Sequence, residues 1–251
     1  MSFEKILVLV LGSLLTCFTY AMQQPAPTGL SLRDWLTDTQ AKRAVNPDIS
    51  PAKLLQQRRP TPQHVNLSGL NLINLDGISE LGNLDAIESL EITNNKLNTF
   101  SPALINQLTR LKDLDLTGNQ FADLQAGAFN LPQLETLNLY VNRLITLKPG
   151  YFQGLPNLKR LGLSGNYITA IQPGTFDTLK SLEVLQLDNN RLPSFDPALV
   201  RNLPRLRVLN LKSTQGFIRN DGTVEDTNPF PNKEALKDQL QKALPGVEVI
   251  I

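Results

Sequence analysis

The chain is poor in the residues on which much enzyme and metal chemistry depends. It holds one cysteine, Cys17, and one histidine, His64, in 251 residues. A single cysteine closes no intrachain disulfide. A lone histidine excludes a zinc site built from several imidazoles. His64 remains as the base of a Ser-His-Asp set, but no nucleophile-elbow phrase accompanies it. There is no glycine-rich loop of the kind that cradles phosphate. Asp221 and Asp226 do not alternate with further oxygen ligands as a calcium loop requires. Net charge is +1, and it stays +1 without a leader that carries Glu4 and Lys5. That balance lacks the basic excess of a nucleic-acid binder. Pairs such as Arg58-Arg59 read as solvated surface. The apolar run from Ile6 to Ala21 is short of the roughly 20 residues that a membrane span needs. No cofactor is expected.

What the chain does have is a period. Asn95, Asn119, Asn142, Asn166 and Asn190 are spaced by 24, 23, 24 and 24 residues. Each closes the phrase L-x-x-L-x-L-x-x-N-x-L, as in LETLNLYVNRL, with Ile, Val or Phe sometimes replacing Leu. In the unit beginning at Leu134, Leu137 and Leu139 alternate with Thr136, Asn138 and Tyr140. That alternation predicts a short strand with its leucines on one face. Leu144, Leu147, Phe152 and Leu155 turn toward the same interior, which one unit cannot enclose alone. Stacked neighbours must close it. Each asparagine sits where the strand bends inward, and its amide can satisfy backbone groups buried by the turn. Pro102, Pro149, Pro173 and Pro197 each fall fifteen residues into their units, which favours extended or turning convex segments over long helices.

These phrases, with the downstream Gly127-Ala128-Phe129, Gly150-Tyr151-Phe152 and Gly174-Thr175-Phe176, resemble the leucine-rich-repeat family in its typical 24-residue class. That class includes Toll-like receptor ectodomains and small leucine-rich proteoglycans. Five strong units run from Ile87 to Arg205. Weaker units flank them, with Leu70 and Thr214 at the asparagine position. The resemblance implies an α/β solenoid, here of about seven repeats, with a curved parallel sheet on its concave face; helical caps are expected from the residues at its ends. The resemblance also implies binding to a partner. Some bacterial members are cysteine-dependent ubiquitin ligases, and this chain lacks that nucleophile.

The ends carry their own signals. Residues 1–21, MSFEKILVLVLGSLLTCFTYA, read as a secretory signal peptide. An uncleaved anchor is one alternative. Another is a lipid anchor, because Leu14-Leu15-Thr16-Cys17 is similar to a bacterial lipoprotein signal. An export signal without cysteine-rich caps favours a bacterial source and a secreted, periplasmic or extracellular location. Residues 22–61 are expected to form a tail and a helical cap, with starts at Ser31 and Ser50-Pro51 and Trp35 in its core. The array spans 62–212. Residues 213–251 are expected to hold a long loop, then a helix capped by Asn232, and a final strand. Ala235, Leu236, Leu240, Ala243 and Leu244 would form that helix's apolar stripe.

The strand positions facing away from the leucines form the expected binding face. Glu91, Asp113, Asp115, Asn138, Tyr140, Arg160, Gln186 and Asp188 are its candidate contacts, with Gly162 leaving room between Tyr140 and Arg160. Exposed Tyr and Arg are enriched in binding hot spots. The leading expectation is a non-enzymatic protein–protein interaction module. Glycan or cell-wall recognition with Tyr140 as a stacking platform is the alternative, and an enzyme using His64 is a third. Neither nucleic acid nor metal is an expected partner.

Overall fold

The computed structural model describes residues 63–76, 78, 83–212 and 233–251, with the backbone of three further short strands. The leader with Cys17, Trp35, the Ser50-Pro51 helix start, Asn232 and most of the 213–231 segment lie outside the described residues. Among the described residues, eight parallel strands form one sheet. Seven belong to repeat units: His64–Asn66, Ser89–Glu91, Asp113–Asp115, Thr136–Asn138, Arg160–Gly162, Val184–Gln186 and Val208–Asn210. Glu248–Ile250 completes the sheet beside the last of them. Each repeat strand pairs with the strand of the next unit, so six turns of solenoid join the first seven.

Register is strict. Leu90, Leu114, Leu137, Leu161, Leu185 and Leu209 lie side by side. All six are buried at 1% exposure or less. A side-chain period of two then sends their neighbours to the opposite face. Ile92, Leu116, Leu139, Leu163 and Leu187 follow the strands into the core, and the returning segments bring Phe100, Phe121, Phe129, Phe152 and Phe176 inward. These segments hold no long helix among the described residues. The Pro102–Ile105 helix has four residues, and two units make a small parallel pair, Thr146–Leu147 with Ala170–Ile171.

The recurring asparagines tie successive turns together. Asn142 is 3% exposed. Its Nδ2 donates to the carbonyls of Leu116, Leu139 and Tyr140 at 3.0, 3.2 and 3.1 Å. Its Oδ1 accepts from the Phe121 N–H at 3.1 Å. Asn95, Asn119, Asn166 and Asn190 donate to the equivalent carbonyls. Backbone groups that bend out of the sheet are thus paired rather than buried bare. A second row, just before each strand, alternates in sign: Glu88, Lys112, Glu135, Lys159. Lys112 meets Glu88 at 2.7 Å and Lys159 meets Glu135 at 2.9 Å. Hydrogen bonds from these lysines hold both carboxyls below the usual glutamate range. Exposed pairs of this kind add little stability.

Two local expectations need correction. The Lys233–Ala243 helix packs through Leu236, Leu240 and Leu244, while Ala235 and Ala243 are exposed. Residues four apart drift slowly around a helix of 3.6 residues per turn, so the stripe narrows to those leucines. The 213–231 segment contains an antiparallel pair, Gly216–Ile218 with Val224–Asp226. Asn220-Asp221-Gly222 between two β-prone runs is a hairpin signal. At the other end, Leu30–Ser31 forms a strand parallel to Leu72–Asn74.

Candidate binding face

The face opposite the leucines is a lattice of three side-chain rows crossing the strands. The first runs His64, Ser89, Asp113, Thr136, Arg160, Val184, Val208, and the second Asn66, Glu91, Asp115, Asn138, Gly162, Gln186, Asn210. The third continues through Thr93, Thr117, Tyr140, Ser164, Asp188 and Lys212, whose carbonyls accept from the preceding turn. All eight candidate contacts therefore share one surface.

Their hydrogen bonds leave the negative charge standing. Glu91 accepts from Asn66 Nδ2 at 2.6 Å. Asp115 accepts from Asn138 Nδ2 at 3.4 Å and from the Thr117 N–H at 2.9 Å. Asp188 accepts from Ser164 Oγ, Asn189 Nδ2 and Asn210 Nδ2. Every one of these donors is neutral. Arg160 donates to Thr136 Oγ1 at 2.8 Å rather than to a carboxylate. Among the described residues, the ion pairs all fall on Glu88, Asp123 and Glu135, none of them in the three rows. Glu91, Asp113, Asp115 and Asp188 thus make an acidic strip that forms no ion pair among the described residues.

Tyr140 departs from expectation. It is half-buried, lying across Gly162, with its hydroxyl hydrogen-bonded to Gln186 Oε1 two strands away. A Cβ on Gly162 would come within 2.4 Å of the ring at Cε1 and Cζ. The space left by Gly162 is therefore filled by the tyrosine itself. Burial pushes the Tyr140 hydroxyl above the usual tyrosine range, and the charges of Asp188 and Asp115 push the same way. The fold therefore favours the neutral phenol. That contribution is complete below the unfolded pKa of about 10 and is lost as pH rises through the higher folded value. Ultraviolet titration of the wild type against Tyr140→Phe should show one tyrosine ionising late. Gly162→Ala should displace the ring and bring that step back toward the ordinary tyrosine pKa. A late step unchanged in Gly162→Ala would refute the seating.

The register also bears on His64. Ser89 stands between His64 and Asp113. A Ser-His-Asp relay needs the histidine in the middle. Adjacent strands lie about 4.8 Å apart, so Asp113 stands two strands away from the imidazole it would orient. No cluster of three or more His, Cys, Asp or Glu side chains among the described residues could hold a metal.

Sequence reasoning passed over the rim beside this face, where Val141, Ile145 and Tyr167 are exposed. A signal was available. The residue before each ladder asparagine is Asn94, Gly118, Val141, Gly165 or Asn189, and valine is the odd member.

Known proteins carry the same pattern. Residues 109–168 and 156–215 match the leucine-rich-repeat family model. The fold is a leucine-rich-repeat solenoid. Two relatives are similar over the repeats. One is the transforming growth factor beta activator LRRC32 of Mus musculus, 39% identical over 79 residues, which is 31% of this chain and 11% of that protein. The other is leucine-rich repeats and immunoglobulin-like domains protein 3 of Homo sapiens, 36% identical over 84 residues, 33% of this chain and 7% of that protein. The chain thus spans a small part of each. Among solved structures, the TLR13–ssRNA13 complex superposes with a TM-score of 0.51 at 27% identity, over 59% of this chain and 23% of that one.

Proposed function

We propose that this leucine-rich-repeat chain is an exported, non-enzymatic recognition module that holds a protein partner on the concave sheet face. The observation that carries the reading is the acidic strip around the seated Tyr140. The donors to Glu91, Asp115 and Asp188 are neutral, and all four carboxylates ride on one registered sheet. A rigid scaffold of this kind loses little entropy on binding. A partner presenting lysines or arginines would be steered onto the strip and held in one orientation. The leader-like first 21 residues support export. The RNA in the TLR13 complex belongs to that protein. Here the strip would repel a phosphate backbone, which binds through cationic side chains. Tyr140 is the single aromatic in the three rows among the described residues, which argues against a sugar-stacking site.

Replacing Asp115, Tyr140 and Arg160 together, with circular dichroism confirming the fold, is expected to weaken capture of the protein partner at least tenfold. That is the loss typical of a hot-spot cluster. Capture by the wild type should also weaken as salt is raised. Undiminished capture by the triple variant would remove this face. Saturable binding of peptidoglycan fragments at the same residues would transfer it to the glycan reading.

A further inference from the structure

One position in the array is held against its own side-chain preference. At the bend before each ladder position the backbone enters the left-handed region: Gly69, Asn94, Gly118, Val141, Gly165 and Asn189 have φ of 70°, 54°, 70°, 51°, 69° and 56°. Glycine and asparagine visit this region readily, whereas a β-branched residue there is strained. Burial of its own side chain does not offset that strain, since Val141 is 60% exposed. A residue that costs stability and packs poorly within its own chain is a candidate for contact with something else.

Its surroundings say what. Val141, Arg143 and Ile145 point outward between the buried Asn142 and Leu144, and Tyr167 does so in the next turn. Backbone bonds from Tyr167 N–H to the Leu144 carbonyl and from Thr169 N–H to the Ile145 carbonyl set the two turns side by side. Val141, Ile145 and Tyr167 are 60%, 52% and 42% exposed, a cluster of large apolar side chains spanning two turns. Gly165 flanks Val141 and adds no side chain to cover it. The charge is of one sign. Lys96, Arg143 and Arg191 follow their ladder asparagines, and no carboxylate stands in that row or in the outward rows on either side of it. Arg191 lies over the Tyr167 ring, 4.5 Å from its centroid. No side-chain partner is found for Arg143 among the described residues.

We infer that this rim is a second binding surface, fitted to an extended acidic protein segment with an apolar side chain beside its carboxylates. The apolar residue would sit on Val141 and Ile145, and the carboxylates would meet Arg143 and Arg191. Bidentate pairing makes arginine well suited to that role. The rim is opposite in sign to the acidic strip, and the inference does not depend on the strip's function.

The test uses phage-displayed random peptides selected on the immobilised full chain. Peptides should be enriched that place Asp or Glu next to Leu, Ile or Phe. Their binding should fall about tenfold or more in a Val141→Asn, Arg143→Glu, Ile145→Ser variant. It should persist in the variant altered at Asp115, Tyr140 and Arg160. Val141→Asn alone should raise the thermal midpoint, since Asn94 and Asn189 occupy the same bend. A lowered midpoint would overturn the strain argument. Selected peptides that bind the rim variant unchanged, that lack acidic residues, or that are lost with the strip variant instead would overturn the site.

Discussion

Asn142→Ala should destabilise the array by about 3–7 kcal/mol, measured as a fall in the urea midpoint of the circular dichroism signal. The figure follows from which groups lose their only partner. The carbonyls of Leu116 and Leu139 also accept from Asn119 and Asn166, at 3.0 and 2.9 Å. The Tyr140 carbonyl also accepts from Gly118 N–H at 3.0 Å. These three acceptors stay paired. The Phe121 N–H does not, since its bond is to Asn142 Oδ1. An orphaned buried donor costs about 1–3 kcal/mol, and each lost paired bond a further 0.5–1.5. Asn142→Asp should be worse near neutrality. It sets a carboxylate against three carbonyl oxygens and offers no donor, which pushes the carboxyl pKa above its usual value of about 3.9. The sign follows from linkage. A raised folded pKa favours the protonated form, so the Asp variant gains stability as pH falls and loses it as pH rises through that pKa. The Ala variant should show no such step. If both variants had the same pH profile, the amide would not be acting as the donor to these carbonyls.

Such an argument was partly open to sequence reading. The period identifies which leucines share a row and which asparagines recur, because both follow from a repeat of fixed length. It does not say which carbonyls each amide meets, since those come from the turn before and the turn itself. The charges of Glu91, Asp113, Asp115 and Asp188 are legible from strand alternation. Their partners are not, because a cross-strand bond depends on rotamers. Arg160 illustrates this by bonding Thr136 rather than a carboxylate. Tyr140 is the clearest case. Its seat needs a glycine 22 residues on and an amide 46 residues on, brought together only when three strands align. Val141 differs again: its backbone strain is local, and comparison down one column would have exposed it.

Phe152→Ala is expected to cost about 3–5 kcal/mol, the range for emptying a buried aromatic site. Phe152 is fully buried. It meets Tyr151 edge-on with centroids 6.3 Å apart and stacks on Phe176 of the next turn at 6.1 Å. The other aromatic cluster, Phe100 with Phe121 and Phe129, lies in the turns before it. Phe152 therefore sits at the middle of the array, where the interior joins the earlier turns to the later ones. Stability in stacked repeats is close to a sum of unit and nearest-neighbour terms. A weak central interface should then let the halves unfold separately, seen as a lower apparent m value or two urea transitions. Phe195→Ala, in a turn nearer the end, should instead fray that end and leave the main transition sharp. Hydrogen exchange would distinguish the two. In Phe152→Ala, amides on both sides of the site should lose protection together, whereas Phe195→Ala should expose mainly those beyond Asn190. A single unchanged transition in Phe152→Ala, with protection lost evenly along the chain, would mean that the turns are coupled over longer distances than their contacts.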